Sequence, residues 1–191
     1  GTDSLNHEMR ADRRQIAAYS KIANHPVVDS LSKLMQLLNP NSYQRGGWVL
    51  HMLRRQLGDT VFHRIIRSYY EKYKGSNADT RDFEAVAESI SGKKLDTFFN
   101  QWLYRPDIPQ LRIGWQYSDT EKQIIISVEQ LQVSDAFHFP LEFRVSDNSG
   151  KPVFHTFYIT EKKQQFSIPV DAKPVSVTAD PFVSLLFEEK I

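Results

Sequence analysis

The chain has 191 residues, and its 24 lysine and arginine residues nearly balance 23 aspartate and glutamate residues, which leaves a net charge of +1. This balance argues against a nucleic-acid partner, because such binding needs a basic surface, and no apolar run reaches the ~20 residues of a membrane helix. The absence of cysteine excludes disulfides and thiolate metal sites but leaves the compartment open, a periplasmic or secreted location included.

The first half of the chain has the periodicity of helices. Apolar residues recur there at three- and four-residue spacing, and Gly58 and Gly92 supply helix stops. Asp59 and Asp96 are expected as helix N-caps, whereas Asn39-Pro40-Asn41 is expected to end a helix. The expected helices are, in chain order, 10–22, 29–38, 43–57, 59–73, 80–91 and 96–103.

The second half alternates apolar and polar residues, which is typical of strands. From Leu111 onward the period falls to two, and polar turns such as 118–121 and 147–150 separate the alternating runs. The expected strands are 111–117, 124–128, 137–145, 153–159, 166–170 and 175–177. Short strands at this spacing predict a small antiparallel β-sandwich of the Ig-like type.

The change of period divides the chain near residues 105–109, where Pro106 and Pro109 close the helical half. The sequence therefore predicts an α+β fold with two domains. The first is a helical domain over 1–106, and the second is the β-sandwich domain over 107–191.

The segment 41–54 carries the candidate catalytic residue. Tyr43 stands at the start of an apolar helix, where its hydroxyl can point into a cleft; an aromatic packed at a helix start is the alternative. Arg45 is expected either to orient an acidic partner or to lie solvated on the helix. Gly46 and Gly47 each cost roughly 1 kcal/mol of helix stability against alanine, which indicates a close approach by substrate or backbone, or a contact with a neighbouring helix.

Several motifs occur in the order that one peptidase family has. They are Tyr43-Gln44-Arg45-Gly46, Leu50-His51-Met52-Leu53-Arg54, Leu57-Gly58-Asp59, Tyr69-Tyr70, Thr80-Arg81-Asp82-Phe83, Ser91-Gly92-Lys93-Lys94-Leu95, Phe98-Phe99-Asn100-Gln101-Trp102-Leu103, Phe139-Pro140-Leu141 and Asp180-Pro181. Together they resemble the zinc aminopeptidases (gluzincins) of the aminopeptidase N and leukotriene hydrolase family over roughly residues 25–191. The resemblance implies the helical end of a thermolysin-like catalytic domain, followed by a β-sandwich. It also implies that Tyr43 hydrogen-bonds the oxyanion of the tetrahedral intermediate.

The zinc ligands of that family are missing from this sequence. In H-E-x-x-H, two imidazoles on one helix face bind the ion and the glutamate activates water. Here His7-Glu8-Met9-Arg10-Ala11 has Ala11 in place of the second histidine, and no two of the 6 histidines have i, i+4 spacing. The resemblance therefore implies zinc in a full-length parent and none bound by this chain, which we expect to be a downstream part of that parent.

Three functional interpretations remain open. In the first, the parent removes N-terminal residues from peptides, Tyr43 stabilises the oxyanion, and this chain alone is inactive. In the second, the parent has lost its zinc ligands and is a non-catalytic binding scaffold, which the sequence upstream would reveal. In the third, the chain is a separate carbohydrate or adhesion module, which a row of exposed aromatics on one sheet would support. We also expect self-association through surfaces that the parent would cover.

Overall fold

The computed structural model describes residues 2–30, 33, 39–147 and 151–191 of the chain. The α-helices are α1 (Thr2–Ser20), α2 (Gly46–Leu57), α3 (Asp59–Tyr73), α4 (Thr80–Ser91) and α5 (Asp96–Phe99). A first π-helical turn over Asn41–Arg45 precedes α2, and a second over Asn100–Tyr104 follows α5. The expected helix over 29–38 lies mostly outside the described residues.

Helix α1 begins at Thr2, well before the expected start at Arg10. Its buried apolar residues are Met9 and Ile16, which are 8% and 0% exposed. They are two turns apart, with Arg13 on the same face between them. So sparse an apolar row gives a weak amphipathic signal, and the sequence pattern therefore missed the first half of this helix.

The ends of the other helices follow local chemistry. Asp79 is the N-cap of α4, and its side chain and that of Asp82 exchange hydrogen bonds with each other's backbone N–H in a capping box. Gly92 ends α4 in the left-handed conformation at φ 65°, as expected for a C-cap glycine. Asp59 and Asp96 are not N-caps: each is the first residue of its helix, where a carboxylate interacts favourably with the helix dipole.

The second half forms two sheets. The strands are β1 (Gln110–Ser118), β2 (Gln123–Gln130), β3 (Phe139–Ser146), β4 (Val153–Ile159), β5 (Lys163–Pro169), β6 (Ser176–Ala179) and β7 (Glu188–Glu189). One sheet has the order β5-β2-β1-β7 and the other the order β4-β3-β6. The pairing is antiparallel except between β1 and β7, which is parallel, so the expectation of purely antiparallel pairing fails at this short strand.

Alternation of buried and exposed residues fixes the register of the central strands. The inward residues of β2 and β3 are Ile124, Ile126, Val128, Phe139, Leu141, Phe143 and Val145, all buried. A one-residue slip would turn each of these sets to solvent. Phe157 of β4 stacks on Phe166 of β5 with 4.3 Å between ring centroids, which joins the two sheets.

The chain divides into two compact units. One contains the described residues of 1–17 together with 107–191, and the other contains 18–106. The division into domains 1–106 and 107–191 stays a prediction about the protein. The described residues include no helix whose length and hydropathy would let it cross a bilayer.

A part-buried ion pair attaches α1 to the last loop of the β-containing unit. Arg13 Nη2 lies 2.5 Å from Asp180 Oδ2 and 2.5 Å from the Leu185 carbonyl oxygen, and Ser184 N donates to Asp180 Oδ1 at 2.6 Å. The Arg13 guanidinium also lies 4.5 Å from the ring centroid of Phe187. Burial raises the pKa of the Asp180 carboxyl, whereas the Arg13 charge and the Ser184 amide oppose that rise.

Arg13→Met is expected to destabilise the chain by roughly 3–5 kcal/mol at neutral pH, because Asp180 then stays buried without its cation. The loss shrinks as the pH falls, because the Arg13 charge lowers the pKa of Asp180, so the folded variant without Arg13 binds the proton more tightly than the folded unsubstituted chain does. Urea denaturation at neutral and acidic pH measures both effects.

Arg14→Met is the matched control, because Arg14 is exposed on the same helix, and its free energy of unfolding should barely change. The double variant Arg13→Met/Asp180→Asn should regain part of the lost stability. Simple addition of the two single-variant losses would contradict the ion pair.

Candidate functional site

Tyr43 lies in the first π turn, at the entrance to α2. The Asn39 side chain accepts a hydrogen bond from Ser42 N at 3.2 Å, and the Asn39 carbonyl accepts from Ser42 N and Tyr43 N at 3.0 and 3.2 Å. Pro40 is the first helical residue, a position where its missing N–H has no cost. Asn39-Pro40 therefore begins a helical segment with an asparagine cap. The expectation that Asn39-Pro40-Asn41 ends a preceding helix depends on residues 34–38, which lie outside the described part of the chain.

The two faces of this helical segment differ in exposure. The Tyr43 side chain is 63% exposed, Gly47 is exposed, and Leu50 is 39% exposed. The opposite face is buried and consists of Arg45, Trp48, Val49, Met52 and Leu53. Tyr43 thus points toward solvent rather than into the core, which is the arrangement that a hydroxyl donor to a bound ligand needs.

Arg45 is fully buried, at 0% exposure, so the expectation of a solvated helix residue is wrong, whereas an acidic partner for Arg45 stays a prediction. Its Nη1 donates to the Pro106 carbonyl oxygen at 2.6 Å, and its Nη2 donates to the Arg105 carbonyl oxygen at 2.7 Å. Hydrogen bonds from a charged donor are short and strong, as these are. The guanidinium therefore joins the end of the first π turn to the two residues that follow the second.

The sequence carried a signal for this burial. Arg45, Trp48, Val49, Met52 and Leu53 have the spacing i, i+3, i+4, i+7 and i+8, which is the buried stripe of an amphipathic helix. A basic residue in such a stripe indicates a buried partner. The partner itself, about sixty residues later in the chain, could not be identified from this pattern.

The two glycines of the segment have free space beside them. A Cβ added to Gly46 or to Gly47 would meet no atom within 4 Å. Neither the expected close backbone approach nor a contact with a neighbouring helix is present among the described residues. The glycines instead widen an open surface next to Tyr43.

The described residues do not hold a zinc site. Among them, no group of three or more histidine, aspartate and glutamate side chains is arranged to bind a metal ion. His7 and Glu8 are exposed on α1, and Ala11 supplies no ligand one turn later. These residues do not fit the zinc centre that the family resemblance implies.

Two grooves lie elsewhere on the surface of the described residues. One, on the outer face of the four-stranded sheet, is lined by Arg112, Gly114, Ser127, Val128, Glu129, Lys163, Gln164 and Gln165. The other is lined by Arg81, Glu84, Ala85, Glu88, Asn100 and Tyr104. In the second groove Tyr104 donates to Glu84 at 3.2 Å, and burial raises the pKa of that carboxyl. Tyr43 lines neither groove.

Comparisons with known proteins point to one family. A family model described as the peptidase family M1 domain matches residues 3–102, more than half of the chain. The alanine/arginine aminopeptidase of Saccharomyces cerevisiae is 24% identical over 173 residues, which is 87% of this chain and 19% of that protein. Aminopeptidase N of Lactococcus lactis is 37% identical over 67 residues, 35% of this chain and 8% of that protein.

A solved structure shows the same fold. The crystal structure of Legionella pneumophila aminopeptidase A in complex with aspartic acid matches with a TM-score of 0.74 and 16% sequence identity. The match covers 88% of this chain and 20% of that one. The chain therefore spans about a fifth or less of the length of these relatives.

Gly46→Ala and Gly47→Ala are each expected to stabilise the chain by up to about 1 kcal/mol, because alanine favours a helix and the new methyl group meets no neighbour. Chemical denaturation measures the change. Gly58→Ala is the control, because Gly58 has a φ of +82°, which strains alanine, and this variant should lose stability. A stability loss at position 46 or 47 would contradict the open space.

Proposed function

The chain belongs to the M1 family of peptidases, and we propose that it is the part of a zinc aminopeptidase that supplies the tyrosine stabilising the oxyanion. In this proposal the intact protein removes N-terminal residues from peptides, and its zinc ligands lie outside this chain. The exposed Tyr43 side chain, on a turn fixed at both ends, is the observation that supports the role most directly.

The chemistry suits a phenol. When water adds to a scissile carbonyl, the carbonyl oxygen gains negative charge in the transition state. A tyrosine hydroxyl keeps its proton at neutral pH and can donate a hydrogen bond to that oxygen. A donor held in place before the reaction is worth roughly 3–4 kcal/mol, or about 10²–10³ in rate. In the proposal, Tyr43 contributes at this step alone and neither activates water nor binds a metal.

The surroundings of Tyr43 are consistent with an extended substrate. Gly47 and Leu50 are exposed on the same face, and the free space at Gly46 and Gly47 allows a peptide backbone to approach the helix closely. Both glycines lower the intrinsic stability of the helix. A residue that costs stability without serving the packing around it is typical of a functional surface.

The proposal also assigns each part of the chain to a domain of the full-length protein. The helices are the end of a thermolysin-like catalytic domain, and the two sheets are an Ig-like β-sandwich. Support for the sandwich comes from the alternating burial of β2 and β3 and from the stacked Phe157 and Phe166 rings. Self-association through surfaces that the full-length protein would cover stays a prediction.

Two alternatives are distinguished by specific observations. A non-catalytic scaffold of the same family would have lost H-E-x-x-H, which the coding sequence upstream of residue 1 decides. An adhesion module would use exposed aromatics, and Phe154 and Tyr158 of β4 are indeed 43% and 57% exposed, with Phe182 stacked on Phe154 at 5.3 Å. The family match over 3–102 favours a peptidase over that module.

In the full-length protein, Tyr43→Phe is expected to lower kcat by about 10²–10³ with a small change in KM, because the hydroxyl acts mainly in the transition state. Steady-state hydrolysis of an aminoacyl-arylamide measures both constants. Tyr70→Phe is the matched control: Tyr70 is 66% exposed on α3, close to the exposure of Tyr43, and kcat should not change. An unchanged kcat for Tyr43→Phe would overturn the oxyanion role.

The chain by itself is expected not to hydrolyse peptides, because its described residues hold no metal-binding group. Incubation with zinc and an aminoacyl-arylamide, followed by absorbance, tests this. Turnover that disappears in a Tyr43→Phe variant of the chain would refute the proposal that the zinc ligands lie elsewhere.

A further inference from the structure

A charged residue at a buried position of the first π turn requires an explanation. Arg45 shares its buried stripe with Met52 and Leu53, and a buried cation is costly unless it is hydrogen-bonded. Methionine or leucine would fill the same space without desolvating a charge. Arginine also donates hydrogen bonds to the Arg105 and Pro106 carbonyl oxygens, which methionine or leucine cannot do.

These two acceptors lie on a well-anchored part of the helical unit. They follow the second π turn directly, and Gln101, Trp102 and Leu103 of that turn are buried. Adjacent carbonyls need two donors at a fixed spacing, which a planar guanidinium provides and a single ammonium group does not. One side chain thus holds the first π turn against a rigid neighbour.

Tyr43 lies between two such fixed points. Asn39 holds the residues before it through Ser42 N and Tyr43 N, and Arg45 follows after only Gln44. π-Helical turns are rare and frequently occur at functional sites. An oxyanion donor is effective only when its position is set before the reaction, since a displacement of about 1 Å can cost up to about 10²-fold in rate.

We infer that Arg45 is a positioning residue, which sets the place of the Tyr43 hydroxyl by holding the first π turn against the Arg105 and Pro106 carbonyls. This inference rests on the proposed oxyanion role of Tyr43. Arg45 itself is buried on the opposite face of the segment and does not touch the substrate.

The first test needs no activity and uses this chain. Arg45→Met is expected to speed amide hydrogen exchange at Ser42 and Tyr43 by roughly tenfold or more, while amides in α4 change far less. Ile65→Ala is the control for general destabilisation, because Ile65 is another fully buried residue of the helical unit. It should not speed exchange at Ser42 and Tyr43 more than exchange in α4. Equal acceleration in the turn and in α4 would overturn local positioning by Arg45.

The second test is a double-mutant cycle in the full-length protein. Arg45→Met should lower kcat by roughly ten- to a hundredfold when Tyr43 is present, with KM little changed. In the Tyr43→Phe background the same substitution should change kcat by less than about twofold, because the hydroxyl that it displaces is gone. Ile65→Ala should leave kcat unchanged in both backgrounds.

The outcomes separate the two claims. If Tyr43→Phe leaves kcat unchanged, the oxyanion role fails, whatever the exchange data show. If Tyr43→Phe lowers kcat but Arg45→Met costs the same in both backgrounds, the positioning role fails and the oxyanion role stands. If Arg45→Met does not fold, the cycle is repeated with Arg45→Lys. That variant should lose less kcat than Arg45→Met would, and its loss should also vanish in the Tyr43→Phe background. No loss, or an equal loss in both backgrounds, overturns the inference.

Discussion

Burial of one guanidinium against two backbone carbonyls is the constraint on which the candidate site depends. Arg45 gives up its hydration in the helical core, and the Arg105 and Pro106 carbonyl oxygens replace it at 2.7 and 2.6 Å. The π turn that ends at Arg45 therefore has a fixed position, and the Asn39 cap fixes its beginning. Tyr43 projects from the solvent side of a turn whose other side is anchored.

Each compact unit contains an arginine bonded to a partner distant in sequence, the part-buried Arg13 in one and the fully buried Arg45 in the other. Arg13 meets the Asp180 carboxylate, whose burial raises its pKa, so that charge and desolvation oppose each other there. Arg45 donates to two uncharged backbone carbonyl oxygens, at 2.6 and 2.7 Å. The first contact attaches α1 to a loop, and the second holds a turn that carries a candidate catalytic side chain.

Membership in the M1 family and the content of the site are separate findings. The family match covers residues 3–102, yet the described residues hold no metal-binding group, and the chain spans about a fifth or less of its relatives. A hydroxyl donor and an open helix face can assist a reaction whose nucleophile is activated elsewhere. They cannot carry one alone, which is why the proposed chemistry of this chain is limited to charge stabilisation.

Local pattern was sufficient for much of the fold. The expected helices 59–73 and 80–91 agree with α3 and α4, because amphipathic spacing is local in both helices and Asp79 and Gly92 cap α4. The alternation of apolar and polar residues likewise predicted the first and last residues of β3 and β4 to within two positions. The order of short motifs also predicted the family, which the M1 match confirms.

The features that the pattern missed depend on contacts distant in sequence. Helix α1 has only Met9 and Ile16 as buried apolar residues, so its first half follows from tertiary packing more than from its own periodicity. Strand β7 is two residues long and exists because β1 pairs with it. The burial of the stripe that contains Arg45 could be predicted from the sequence alone, since helical spacing is a local pattern. The partner of Arg45 was decided only by the tertiary structure, because a buried charge is tolerated only where the fold brings acceptors from a distant segment to it.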